Sequence, residues 1–232
     1  MTGISTIMKP FSPFGLMAMD LVFPNLCLSC DEPILRSKQS LCESCLGKLQ
    51  SLSSKPSIEH LTVKDGVDEA FVGWAFSDEL RAPIHSLKYQ DRALLGKELG
   101  KMLGNKSSKI SWIDYLIPVP LHAVKERDRG YNQADWIAKG LGEKWNIPVK
   151  RNMISRIKQT ETQTALNQIE RRENMNSAFH VHKDVSGASI GIVDDVLTTG
   201  STISSMAVEL KKAGAQKIIA LTVATPLEKK HD

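Results

Sequence analysis

Ser189-Ile190-Gly191-Ile192-Val193-Asp194-Asp195-Val196-Leu197-Thr198-Thr199-Gly200-Ser201-Thr202 carries the transition on which the fold turns. Ile190, Ile192 and Val193 form a short apolar run, which reads as a buried strand ending at two carboxylates. A loop of hydroxyls around one glycine follows. Beyond it Ile203, Met206, Ala207 and Leu210 recur on one helical face, with Lys211 and Lys212 in the last turn and Gly214 just past it, as a helix end prefers.

Each part of this stretch suits a phosphorylated sugar. A helix N-terminus offers unpaired backbone N–H groups and the positive end of the helix dipole, so Thr198, Thr199, Gly200, Ser201 and Thr202 can surround a phosphate with donors. Gly200 lets the backbone come close. Asp194 and Asp195 stand at the carboxyl end of the strand, where open α/β sheets place ligands. They can accept hydrogen bonds from vicinal ribose hydroxyls or help to hold hydrated Mg²⁺. An Asx-type turn with an ordinary helix cap needs one acid and one hydroxyl; two acids and four hydroxyls exceed that need.

Working outward, the elements alternate in the manner of a parallel α/β sheet. Tyr115 to Val119 reads as a strand ending in a Pro-rich turn, and Ala134, Ile137, Ala138 and Leu141 mark the helix after it. Lys217 to Thr225 is a final strand, and Ala70 to Phe76 an earlier one. Asp78 to Leu103 gives one or two helices, with Lys88-Tyr89 at the break between them. Arg156 to Asn174 is a long polar connection, and such a length inside a compact domain is usually functional or mobile. Tyr131, Trp136 and Trp145 are the aromatic residues of the stretch from His122 to Arg172, and either tryptophan can be core. His180 and His182 read as strand surface residues and are assigned no metal.

The formal charge of the 232 residues is +4, but its placement is uneven. From His122 to Arg172 eleven Lys and Arg stand against six Asp and Glu, so this stretch is more positive than the whole chain. Polyphosphate and nucleic acid are its natural partners, although a solvated basic surface has the same composition. Phe11 to Leu26 is apolar but interrupted by Pro13, Asp20 and Pro24, which predicts a packing segment, with neither a membrane span nor a signal peptide. A cytoplasmic location follows.

Cys27 and Cys30 form one CxxC knuckle and Cys42 and Cys45 a second, eleven residues apart. Two such knuckles present four thiolates to a tetrahedral Zn²⁺ with no cysteine left over. Disulfides would require export, and a redox motif needs one pair. With all four positions taken by sulfur, the metal's role is to fold a ribbon too small to hold a core unaided.

These pieces together resemble a known family. Val193 to Thr202 looks like the phosphoribosyl pyrophosphate (PRPP) loop of type I phosphoribosyltransferases. Pro118-Val119-Pro120-Leu121, then Arg129-Gly130-Tyr131-Asn132-Gln133, then Thr162-Gln163 through Leu166, Arg171, Asn174, Ala178 and Phe179, narrow the likeness. With the four-cysteine module they resemble the ComF family, phosphoribosyltransferase-like proteins linked to DNA uptake in bacterial competence. The resemblance runs from about Phe23 to Thr225.

It implies a type I phosphoribosyltransferase-like parallel sheet with helices on both faces. The implied divisions are a packing segment at 1–22, a zinc module at 23–50, a linker and helical hood at 51–110, the core at 111–225 and a tail at 226–232. Asp194, Asp195, Thr198, Thr199, Gly200, Ser201 and Thr202 would bind PRPP with Mg²⁺. Lys125, Arg127 and Arg129, in the loop after the first core strand, would meet the pyrophosphate. Gln163 and Arg171 would lie on a mobile loop that covers the ligand and excludes water. Lys88-Tyr89 resembles a Lys-Tyr that the family carries, while a snorkelling lysine beside a packed tyrosine explains the pair as well.

Three functions are compatible with this reading. One is a protein that binds PRPP or a related sugar phosphate and assists uptake or processing of single-stranded DNA, directly or through a DNA-translocation ATPase. A second is an active phosphoribosyltransferase (a glycosyltransferase moving a pentosyl group) with an unknown acceptor. The third is a zinc-dependent adaptor with a phosphate-sensing site. No stretch before Ser111 resembles a base-reading pocket, and seven residues follow Thr225.

Overall fold

The computed structural model describes residues 25–34, 39–52, 61, 64–89, 92–157 and 178–227. The segment 1–22, most of the stretch after Gln50, the loop bearing Gln163, Arg171 and Arg172, and the end of the chain lie outside the described residues.

The described part opens with a two-stranded antiparallel ribbon, β1 (Asn25–Leu26) and β2 (Pro33–Ile34), followed by the short helix α1 (Glu43–Lys48). Next come β3 (Glu69–Ala75), α2 (Asp78–Tyr89) and α3 (Ala93–Lys106). The region from β4 (Tyr115–Pro118) continues through α4 (Ala123–Arg129) and α5 (Gln133–Trp145). β5 (Ile154–Arg156), β6 (Phe179–Val181), β7 (Ser189–Val196), α6 (Ser201–Lys212) and β8 (Lys217–Thr225) complete it.

Four strands form one parallel sheet in the order β3-β8-β7-β4. Because strand side chains alternate between faces, one run of apolar residues feeds two cores. Ile117, Ile190, Ile192, Ile218 and Ala220 pack on the α6 side with Ile203, Met206 and Leu210. Leu116, Val193, Ile219 and Leu221 pack on the other side with Leu87, Leu99, Ile137 and Leu141 from α2, α3 and α5. Helices therefore cover both faces, as expected. β5 and β6 make a separate antiparallel pair, so the long connection between them leaves and returns at adjacent positions. Among the described residues no helix is long and apolar enough to cross a membrane.

α3 and α5 touch backbone to backbone. A Cβ on Gly100 would collide with the carbonyl oxygen of Ile137, and one on Gly140 with that of Lys97. The indole of Trp145, buried as core, donates to the Gly104 carbonyl at 3.0 Å across the same crossing. The opposite side of α3 holds the cysteine module: Glu98 accepts the Ser40 amide at 2.9 Å and the Ser40 hydroxyl at 2.6 Å.

Gly100→Ala or Gly140→Ala forces the two backbones apart and should destabilise the protein by about 1–3 kcal/mol, the usual cost of overpacking. Gly47→Ala, on α1 with open space at its Cβ position, is the control and should not lower the thermal midpoint. An unchanged midpoint in both core variants would show that the crossing opens without cost.

Candidate functional site

The site originates in a length mismatch. Pro118, the last residue of β4, is in register with Val193, while β7 continues to Val196. Pro120 has no N–H with which to prolong the pairing. The tip of β7 therefore stands free of its neighbour on that side, with Asp194 and Asp195 inside the strand rather than after it.

Adjacent strand residues face opposite ways, yet the charge of Lys88 reaches both acids. Asp195, 4% exposed, turns to the α2 side, where its Oδ2 lies 2.7 Å from Lys88 Nζ. Asp194 is in register with Thr222 of β8, on the face of the sheet that carries Ile190 and Ile192. Its charge is felt by the Arg156 guanidinium of β5. Each carboxylate also accepts the next backbone amide, Asp195 N–H to Asp194 and Val196 N–H to Asp195, both at 2.9 Å. Burial, reinforced by the neighbouring charge of Asp195, pushes the Asp194 carboxyl well above the ordinary range.

The loop after β7 brings its hydroxyls to the start of α6. Gly200 caps the helix with φ +82°, a conformation natural to glycine, and supplies no side-chain cap. The Thr199 hydroxyl donates to Ser201 Oγ at 3.0 Å and accepts the Ser201 amide at 3.4 Å. No acidic residue sits in the first turn, so the positive end of the helix is not neutralised there. Thr198 is exposed, and Thr199, Ser201 and Thr202 are half-buried.

The basic residues after β4 are helical, where a loop was expected. The His122 ring caps the Val124 amide at 3.4 Å, and Gly130, with φ +76°, ends the helix by donating its N–H to the Glu126 carbonyl at 2.8 Å. The helix sorts the three cations. Lys125 and Arg129, four residues apart, share a face and line a cleft of about 390 Å³ with Lys88, Tyr89 and Asp128. Arg127 does not line that cleft; it is exposed and pairs with Asp128 at 3.7 Å. Arg129 also donates to Gln133 at 2.5 Å and stands over the Tyr89 ring. The residues of the Arg-Gly-Tyr-Asn-Gln run are structural ties: Tyr131 donates to the Leu87 carbonyl, and Asn132 both donates to Val119 O at 2.9 Å and caps α5.

Lys88 and Arg156 are the members that sequence reasoning undervalued or missed. Tyr89 is 69% exposed, so the packed-tyrosine explanation of the Lys-Tyr pair does not hold. Lys88 and Asp195 are more than a hundred residues apart, and only the fold makes them neighbours.

The four cysteines form a second centre. All are free thiols, and their sulfurs lie within 4.8 Å of one another, with Cys30 and Cys42 at 3.7 Å. Four sulfurs around Zn²⁺ at 2.3 Å stand about 3.8 Å apart in a tetrahedron, so the cluster can hold a metal ion such as zinc. Burial opposes ionisation of Cys27, but the amides of Cys42, Ser29 and Cys30 outweigh it and bring the thiol down to about 6. Cys42 also caps α1, accepting the Cys45 amide at 3.4 Å.

Comparison with known proteins agrees with this geometry. The family described as phosphoribosyl transferase domain matches residues 128–232, the part containing β7, its acids and α6. Competence protein F of Haemophilus influenzae is 26% identical over 216 residues, covering 83% of this chain and 93% of that protein. DNA utilization protein YhgH of Salmonella typhimurium is 27% identical over 217 residues, 85% and 96% of the two chains. Competence protein ComFC of Bacillus subtilis is 22% identical over 232 residues, 85% and 94%. The chain is similar to these ComF-type proteins along nearly their whole length. Matched to these relatives over more than four fifths of its own length, it joins a phosphoribosyltransferase-like sheet to an N-terminal four-cysteine cluster.

Two outcomes follow for this protein. Metal analysis should find one zinc per chain, and chelation should unfold the region of residues 27–45 while the sheet survives. A protein that binds no zinc at any pH would refute the tetrahedral reading. The raised Asp194 carboxyl also has a pH signature. A carboxyl protonated more readily in the folded than in the unfolded state costs stability as pH rises from about 3.9 through the folded value. Asp194→Asn should therefore raise the melting temperature at neutral pH, with the gain vanishing below about pH 4. A constant difference across that range would mean that ionisation is not its source.

Proposed function

We propose that this chain is a ComF-family protein that binds phosphoribosyl pyrophosphate, or a related sugar phosphate, together with Mg²⁺, and assists uptake or processing of single-stranded DNA in the cytoplasm. The observation that carries the reading is convergence: the acid pair on β7, the uncapped start of α6 and the Lys88, Lys125 and Arg129 cleft all lie about the tip of one strand. An anionic sugar needs these three chemistries, which are acceptors for its hydroxyls, amides for a terminal phosphate and cations for a polyphosphate.

Asp194 and Asp195 are the residues that would accept ribose hydroxyls and hold hydrated Mg²⁺. That ion would offset the charge of a pyrophosphate. Thr198, Thr199, Gly200, Ser201 and Thr202 would close round the terminal phosphate with hydroxyl and amide donors. Lys125 and Arg129 would face the pyrophosphate, whereas Arg127, outside the cleft, is better placed for a second anion. Gln163 and Arg171, on the connection between β5 and β6, would cover the ligand. Zn²⁺ at Cys27, Cys30, Cys42 and Cys45 would be structural. The names of the relatives support the nucleic-acid half of the proposal, with Arg127, Arg171 and Arg172 as contacts.

Calorimetry with PRPP and Mg²⁺ tests the first half. Asp194→Asn with Asp195→Asn should weaken binding about tenfold or more, because hydrogen bonds to charged groups are worth about 1.5–3 kcal/mol each. Equal affinity in the folded double variant would reject the acid pair as the ribose site. For the second half, anisotropy of an unstructured oligonucleotide should fall with added salt and with Arg127, Arg171 and Arg172 changed to Ala. Absence of binding at low salt would assign DNA contact to a partner protein.

A further inference from the structure

Lys88 stands in two environments at once. Its ammonium is 2.7 Å from the buried Asp195, and its side chain lines the cleft formed with Tyr89, Lys125, Asp128 and Arg129. Among the described residues Asp128 is the acid that lines that cleft, and it is shared with Arg127 at 3.7 Å. We propose that Lys88 is a specificity-determining residue that couples recognition of a sugar diol to recognition of a polyphosphate, passing from Asp195 to a phosphate oxygen when one ligand supplies both. The inference rests on the sugar-phosphate reading above and assigns a role there to a residue outside the matched domain, which begins at 128.

The coupling follows from charge. A buried carboxylate stripped of its cation is costly, so Lys88 leaves Asp195 only if new donors replace it. A vicinal diol brings such donors. The departing ammonium also needs a partner, since the cleft it would enter already carries Lys125 and Arg129. A pyrophosphate brings that partner. A ligand with only the diol must push Lys88 into a cationic cleft, and one with only the phosphates must leave Asp195 uncompensated. A molecule with both meets neither cost.

The fold permits the transfer without moving the helix. Lys88 occupies the last turn of α2, and the Leu87 carbonyl beside it is independently held by the Tyr131 hydroxyl. Four flexible methylenes then let the ammonium exchange partners while the backbone stays fixed.

Calorimetry on the full chain with Mg²⁺ tests this, using inorganic pyrophosphate, ribose 5-phosphate and PRPP as probes against wild type, Lys88→Ala, Lys88→Gln and Lys88→Arg. Lys88→Ala and Lys88→Gln should weaken PRPP about tenfold or more, the size of one charge-assisted contact, and pyrophosphate by clearly less, because pyrophosphate alone brings no donor to replace Lys88 at Asp195. Ribose 5-phosphate should bind these variants as tightly as wild type or more tightly, because Asp195 is already open. Lys88→Arg should keep PRPP binding within a few fold of wild type. Equal weakening of all three probes in variants with native circular dichroism would overturn the proposal and make Lys88 a support for α2. So would unchanged PRPP affinity. If Lys88→Ala fails to fold, Lys88→Gln, which keeps most of the stem and a hydrogen-bond donor without the charge, decides alone. Wild type that binds none of the probes would instead reject the sugar-phosphate reading itself.

Discussion

The tip of β7 is the constraint on which the site depends. β7 is flanked by β4 and β8, with both faces covered, so Ile190, Ile192 and Val193 are fully buried and its direction is set by packing rather than by the loop it feeds. Because β4 stops earlier, the strand carries two acids beyond its neighbour while still anchored on the other side by pairing of Asp194 with Thr222 and Val196 with Ala224. A parallel sheet buried on both sides has little freedom to slip register, since a one-residue shift would exchange its two cores. The position of the acids is thereby as firm as the core itself. Elevation of the Asp194 carboxyl is the electrostatic cost of that firmness.

Much of this was legible in the residues. The apolar runs at Ile190–Val193, Tyr115–Val119 and Lys217–Thr225 announced the parallel strands, and the periodic Ile203, Met206, Ala207 and Leu210 announced α6. The break near Lys88-Tyr89 separates α2 from α3 as its composition suggested. Local signals of this kind act within a turn or a strand, which is why they are readable. The paired CxxC spacing was equally plain, and the four sulfurs do gather.

What stayed hidden depends on distance along the chain or on competition between weak preferences. Lys125 to Arg129 looked like a crowded loop because six of the residues from Lys125 to Gly130 are charged or glycine, yet Lys, Glu and Arg are good helix formers and the His122 cap and Gly130 stop enclose one short helix. That helix separates Arg127 from Lys125 and Arg129, which no count of charge reveals. The opposed directions of Asp194 and Asp195 became visible only once the strand was seen to run through them. Their cations come from α2 and β5, elements far away in sequence.

α3 serves as a shared wall. Its Gly100 lies against α5, while Glu98, two residues away and on another side of the helix, grips Ser40 between the cysteine knuckles. The small four-cysteine ribbon therefore borrows its footing from a helix that cannot itself shift without separating from α5. Change the cysteines and the ribbon loses its shape but the wall remains; widen the wall and both rooms lose their alignment. The asymmetry leaves the ribbon free to diverge, while the crossing that supports it must be preserved nearly atom for atom.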